Sequence, residues 1–271
     1  MPALVETAWG HQLIAHPTIQ RHRENWCSDT SHPDYELEKC EAVLNEIFLQ
    51  FGTLNPYALD FPVCMEESEE TGAPYTRGLY EVSRAVQRKW LLRHILPGGL
   101  RGDAGRALPL DVDARRLTYD PCEEDYMTAY LNLPEVKRAL HVSEEVDWSM
   151  CSSTTKYRHV DSEVSMVSLY RELLQGPEKL RILVYSGDDD GVCGTVGTQE
   201  WIWDMGLEIP AAEDEWQVYS LQEQLVGFHT IWRDVRLGFL TIHGAGHEVP
   251  TYRPAVSLDM WEKFLNGYWT G

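Results

Sequence analysis

Two hydrophobic runs end in tight turns loaded with polar side chains, and no other feature narrows the possible folds of this chain as much. The first is Ile182-Leu183-Val184-Tyr185-Ser186-Gly187, followed by Asp188-Asp189-Asp190-Gly191. The second is Leu240-Thr241-Ile242, followed by His243-Gly244-Ala245-Gly246-His247-Glu248-Val249-Pro250. Each reads as a buried β-strand that delivers its chemistry at the carboxyl end. Gly244 and Gly246 permit a close backbone approach, and Pro250 keeps a helix from starting too early. A histidine so presented can take and return a proton near neutral or mildly acidic pH.

Each residue also has a plainer reading. Asp188 to Asp190 resembles a calcium loop only superficially, because an EF-hand needs alternating ligands and a distal Glu that is absent here. Strand-end aspartates commonly serve as Asx turns. A histidine in the place of His247 can equally be a core residue bonded to a carbonyl. His243 and His247 form an H-x-x-x-H pair, which binds metal on a helix, but Gly244 and Gly246 disfavour a helix there. Strand-end Asp followed by strand-end His is the second and third member of a nucleophile–acid–histidine order. In that order and setting, the pair favours catalysis.

The rest of the chain separates into two regions. Residues 1–160 read as helical and irregular, with helices expected over Leu4–Ile14, from Pro33 to Phe51, over Leu79–Ile95 and over Tyr126–His141. Asn55–Thr76, with three prolines and the acidic Glu66, Glu67, Glu69 and Glu70, reads as a surface loop. Residues 97–116, with four glycines, two prolines and Arg115-Arg116, read as an exposed excursion. Residues 161–271 alternate: a helix at Ser168–Leu174, strands at Leu180–Ser186, Val226–Trp232 and Leu237–Ile242, and helices at Thr198–Met205 and Val256–Leu265. A length of 271 residues, 43% of them hydrophobic, suffices for a sizeable core. The net charge of −20 argues against nucleic acid or an anionic membrane surface as partner. No apolar run is long enough to span a bilayer, and Met1 to Thr7 has no signal-peptide character. The six cysteines show no paired C-x-x-C spacing, so no zinc site is expected.

Longer blocks now carry a resemblance. Tyr185-Ser186-Gly187-Asp188-Asp189-Asp190-Gly191-Val192-Cys193 with Gly197-Thr198, and Gly244-Ala245-Gly246-His247-Glu248-Val249-Pro250 with Arg253-Pro254, resemble the two signature blocks of serine carboxypeptidases. So do Tyr119-Asp120-Pro121-Cys122, Tyr130-Leu131-Asn132, Ala139-Leu140-His141, Trp148 with Cys151-Ser152, and Ser168-Leu169-Tyr170-Arg171-Glu172-Leu173-Leu174. The match runs from about Thr118 to Leu265 and is thinner before it, mainly Ala8-Trp9-Gly10-His11-Gln12-Leu13-Ile14. The resemblance implies an α/β-hydrolase fold, here the C-terminal part of its sheet with a helical insertion. It implies Asp190 as triad acid, His247 as triad base, a peptide substrate, no metal or organic cofactor, and a vacuolar, lysosomal or secreted setting at acid pH.

The departures from the family pattern are equally specific. The family's Gly-Glu-Ser-Tyr-Ala-Gly and Trp-Asn-Gly-Gly-Pro-Gly segments do not occur, and no G-x-S-x-G occurs anywhere. Without them the chain has neither the nucleophile nor the oxyanion donors. The chain is therefore expected to be the C-terminal portion of such an enzyme, with an N-terminal portion as its partner and an exposed apolar edge on the Leu180–Ser186 strand. The resemblance pairs Cys27 with Cys40 and Cys64 with Cys122, orphans Cys151, and makes Cys193 a free thiol lining the substrate site. It puts Glu248 near the pocket for the leaving residue, where a carboxylate favours basic residues. It also puts residues 97–116 where some members are cut during maturation, an uncut surface loop being the alternative. A pseudoenzyme acting as a binding partner and a carboxypeptidase-like acyltransferase are the rival readings.

Overall fold

The computed structural model describes residues 2–52, 54–67, 74–76, 119–151, 164–177, 180–208 and 210–269. In chain order the helices and strands are α1 (Pro2–Gly10), α2 (His16–Glu24), α3 (Leu37–Phe51), β1 (Met65–Glu67), β2 (Pro74–Thr76), α4 (Glu123–Leu131), α5 (Pro134–Ala139) and α6 (Val167–Gln175). There follow β3 (Ile182–Gly187), α7 (Thr195–Trp203), β4 (Gln217–Leu221), β5 (Gln224–Trp232), β6 (Leu237–Ile242), α8 (Val249–Tyr252) and α9 (Pro254–Leu265). The helix expected over Leu79–Ile95 and the excursion at 97–116 lie outside the described residues.

The main sheet has the order β3-β6-β5-β4. β3 pairs with β6 in parallel, while β5 pairs with both β6 and β4 antiparallel. All six residues of β6 are buried, which is why Leu-Gly-Phe-Leu-Thr-Ile carries no charge. Alternate side chains then enter different cores. Leu240 and Ile242 join Val249 and Tyr252 of α8, Val256 and Met260 of α9, and Trp269. Leu237 and Phe239 join Leu174 of α6, Ile202 of α7, Met205 and Trp232. Helices therefore cover both faces of the sheet. Each side chain of this size that is fully buried contributes about 1.5–3 kcal/mol.

A third core holds α1, α2 and α3 together through Val5, Ala8, Ile14, Ile19, Val43, Leu44 and Ile47. The i, i+3, i+4 spacing of Cys40, Val43, Leu44 and Ile47 gives α3 its buried stripe. The Cys27–Cys40 disulfide ties α3 to the end of α2, and Cys64–Cys122 ties the segment before β1 to the start of α4. Both pairings agree with the expectation. α1 also packs against α7, which joins the helical region to the sheet.

Several boundaries differ from the sequence reading. α1 stops at Gly10 because Gln12 takes a left-handed backbone at φ 59°, so residues 11–14 form a turn. Tyr126–His141 is two helices, broken where Asn132 bonds both the N–H and the C=O of Trp148 and Pro134 starts α5. α2 and β4 were not anticipated. Asn55–Thr76 is no simple surface loop: Asn55 and Ala58 are buried, and residues 65–67 and 74–76 are strand. The expected apolar strand edge is present, since among the described residues β3 pairs with β6 alone. No described helix is long and apolar enough to cross a membrane.

His22 of α2 makes one prediction. Its side chain is buried with both ring nitrogens unpartnered. Burial, its dominant cause, and Arg23 hold the imidazole below its ordinary 6.5, against the pull of Glu6. The unfolded chain therefore binds this proton more readily than the folded one. The stability tied to a neutral His22 is present above pH 6.5 and is lost as pH falls towards the folded value. Thermal melts of His22→Leu at pH 7.5 and pH 5 should show a smaller acid-induced drop in Tm than the parent chain.

Candidate active site at the ends of two parallel strands

The register of β3 on β6 sets Ser186 opposite Thr241 and Gly187 opposite Ile242, so both strands leave the sheet side by side. Their turns are laced by backbone bonds, from Asp188 N–H to the Ile242 carbonyl at 3.1 Å and from Asp189 N–H to the Ala245 carbonyl at 3.0 Å. A Cβ on Gly187 would overlap the Ala245 carbonyl, so only glycine allows the approach.

The three aspartates of the first turn diverge. Asp188 accepts the Gly244 N–H at 2.8 Å and meets His243 Nδ1 at 2.6 Å. Asp189, only 1% exposed, points towards Asp60 and His11. Asp190 is also buried; its Oδ1 accepts the N–H groups of Val192 at 2.7 Å and Cys193 at 2.9 Å. Asp190 Oδ2 lies 2.8 Å from His247 Nδ1. A carboxylate in this position fixes the imidazole tautomer, with hydrogen on Nδ1 and the Nε2 lone pair left to act as base. The side chain of His247 remains partly open to solvent.

A segment that sequence reasoning passed over braces both members of the pair. Leu59 N–H donates to the Asp189 carbonyl at 2.9 Å, and Asp60 N–H lies 3.1 Å from both Asp189 carboxylate oxygens. Gly191 N–H donates to the Pro56 carbonyl at 3.0 Å, and His247 N–H to the Tyr57 carbonyl at 2.7 Å. The Tyr57 and His247 rings lie 5.4 Å apart. Below them Tyr119 stacks on Tyr252 and bonds the Asn55 amide. The available signal was Asn55 followed by Pro56-Tyr57-Ala58-Leu59, an Asx turn leading into an apolar run; Asn55 Oδ1 accepts the Tyr57 N–H at 3.0 Å.

The remaining expected residues fall as follows. Cys193 is a free, exposed thiol whose sulfur, the His247 ring nitrogen and an Asp190 oxygen lie within 4.8 Å of one another. Desolvation around the sulfur and the Asp190 charge push this thiol up, so it stays protonated. Cys151 is free and exposed. Glu248 is exposed at the start of α8. Its charge reaches Glu124, whose carboxyl is pushed up by burial first, then by Asp125 and Glu248. Glu124 was not foreseen, since nothing in the sequence joins it to residue 248.

The serine carboxypeptidase family profile matches residues 1–267, and the chain belongs to that family. Serine carboxypeptidase II-1 of Hordeum vulgare is 30% identical over 260 residues, covering 95% of this chain and 67% of the relative. P-(S)-hydroxymandelonitrile lyase of Sorghum bicolor is 30% identical over 273 residues, covering 98% of this chain and 47% of the relative. The crystal structure of Kex1Δp, a prohormone-processing carboxypeptidase from Saccharomyces cerevisiae, superposes with a TM-score of 0.56 at 17% identity, covering 97% of this chain and 51% of that one. The fold is that of the α/β-hydrolases. The chain spans about half the length of most curated relatives it matches.

Gly246 tests the bracing. A Cβ there would overlap the Tyr57 carbonyl and the Ala58 side chain. Gly246→Ala should cost about 1–3 kcal/mol in denaturant unfolding. Amide exchange at His247 should quicken as its bond to Tyr57 is lost.

Proposed function

We propose that this chain supplies the acid and the base of a serine carboxypeptidase, Asp190 and His247, and that the reacting serine comes from polypeptide outside these 271 residues. The observation that carries the reading is the 2.8 Å contact between His247 Nδ1 and an Asp190 carboxylate whose other oxygen is held by two backbone N–H groups. Such a carboxylate keeps the ring in place and stabilises the imidazolium once it forms. His247 Nε2 then takes the hydroxyl proton as the serine attacks the last peptide carbonyl. The same proton passes to the departing amine, the C-terminal amino acid leaves, and water releases the acyl group by the reverse route. The edge of β3 that has no partner among the described residues is where a strand carrying the nucleophile would join the sheet. Two disulfides support an oxidising, secretory or vacuolar setting.

Cys193 and Glu248 belong to the substrate side of this proposal. The exposed Glu248, with Glu124 within range of its charge, favours a cationic leaving residue. Acyl transfer in place of hydrolysis is the second reading. The relative named as a lyase supports only the broader point that proteins similar to this chain are not confined to peptide hydrolysis.

The chain alone should neither turn over a blocked dipeptide at acid pH nor react with a serine-directed phosphonate. Combined with a nucleophile-bearing N-terminal portion, it should do both. His247→Ala or Asp190→Asn should then lower kcat about a thousandfold or more. Labelling of a serine in the isolated chain would sink the proposal. Glu248→Met in the combined enzyme should weaken its preference for Lys over Leu as leaving residue.

A further inference from the structure

Asp189 takes no part in the acid–base pair, and it is the most deeply buried of the three aspartates of its turn. His11, in the turn after α1, places Nε2 2.9 Å from the Asp188 carbonyl and Nδ1 3.7 Å from Asp189 Oδ1. A carbonyl can only accept, so Nε2 carries hydrogen. In a neutral imidazole Nδ1 is then a lone pair, and it faces a carboxylate that is also acceptor-only. One proton, on Nδ1 or on the carboxyl, turns this opposition into attraction. The geometry therefore calls for a proton on one of the two groups.

We infer that His11 and Asp189 form a titratable positioning pair for Asp190 and His247: His11 ties the Asp188–Asp190 turn to the α1–α2 connection through the Asp188 carbonyl, and the proton on the buried Asp189 carboxyl removes a negative charge from behind the turn. The inference rests on the reading of Asp190 and His247 as acid and base. Besides burial, three groups set the proton's affinity: His11 from the α1–α2 turn, Asp60 from the 55–60 segment, and Asp188 from the same turn. Burial is the largest influence on the Asp189 carboxyl, Asp60 and Asp188 add to it, and the Asp60 N–H and His11 oppose it, leaving the group at about 7. The folded chain thus holds this proton more tightly than the unfolded chain, where the value is 3.8. The stability tied to the proton is full in acid and is lost as pH rises towards about 7. Above that, a buried negative charge opens beside Asp190, one residue from the carboxylate that orients His247. In acid the Asp189 carboxyl is neutral, and Asp190 is the carboxylate that acts on the His247 imidazole.

The test is 13C NMR titration of the Asp189 carboxyl and the His247 ring in the 271-residue chain. The carboxyl carbon should titrate near pH 7, and the His247 signal should carry an inflection at the same pH besides its own transition. Asp189→Asn should abolish that inflection. His11→Gln should move it to higher pH, because the imidazole is the charge that opposes protonation of the carboxyl. A carboxyl that titrates below pH 5, or a His247 curve unchanged in Asp189→Asn, would overturn the inference. If Asp189→Asn does not fold, the wild-type curve and His11→Gln still decide. No readout needs turnover, so failure here is separable from failure of the catalytic reading.

Discussion

The parallel pairing of β3 with β6 comes before everything else at this site, because it brings two chain segments out of the sheet at about one strand spacing, near 4.8 Å. At that distance the turns can exchange main-chain hydrogen bonds, as Asp188 does with Ile242 and Asp189 with Ala245. The acid and base then meet without either side chain having to reach. The bare α-carbon at 187 follows from the same spacing, since it lies against the Ala245 carbonyl, while that at 246 makes room for the Tyr57 carbonyl of the 55–60 segment. Moving the register by one residue would invert every side chain of the strand and separate Asp190 from His247.

Three consecutive carboxylates at a buried strand end are costly to desolvate, and the structure treats each differently. Asp190 has three N–H donors, two from backbone and one from imidazole. Asp188 is half open and faces His243 and the Gly244 amide. Asp189 has the single Asp60 N–H shared between its oxygens and an imidazole at longer range. Burial above all pushes its carboxyl up to about 7, and so few donors do little to oppose it. Identical residues side by side thus acquire different chemistry from the partners that tertiary structure provides.

Much of this was legible in the sequence wherever burial was uniform. β6 was read to the residue, because a strand covered on both faces shows as an unbroken apolar run. The Asp and His turns were legible for the same reason, being the polar ends of such runs. β4 was missed because it is an edge strand with Val218 exposed and a bulge after Tyr219. α2 was missed because His-Pro-Thr-Ile-Gln-Arg-His-Arg-Glu buries only Thr18, Ile19 and His22. The 55–60 segment was hidden by a different cause. It works through its main-chain atoms, which every residue possesses, so its side chains give little sign of the task. Partners such as His11 and Glu124 join the site only through long-range contact, which local pattern does not record.

The separations along the chain have a consequence in time. His247 and Asp190 are 57 residues apart, Asp60 and Asp189 are 129, and His11 and Asp188 are 177. Contacts of such span close late, after local helices and hairpins have formed, because loop entropy must be overcome first. The β5–β6 hairpin can assemble early, yet it carries only the base. A partly folded chain, with α1 undocked and the 55–60 segment loose, holds an imidazole without its orienting carboxylate. The proposed acid–base pair is therefore not assembled until the last long-range contacts are made.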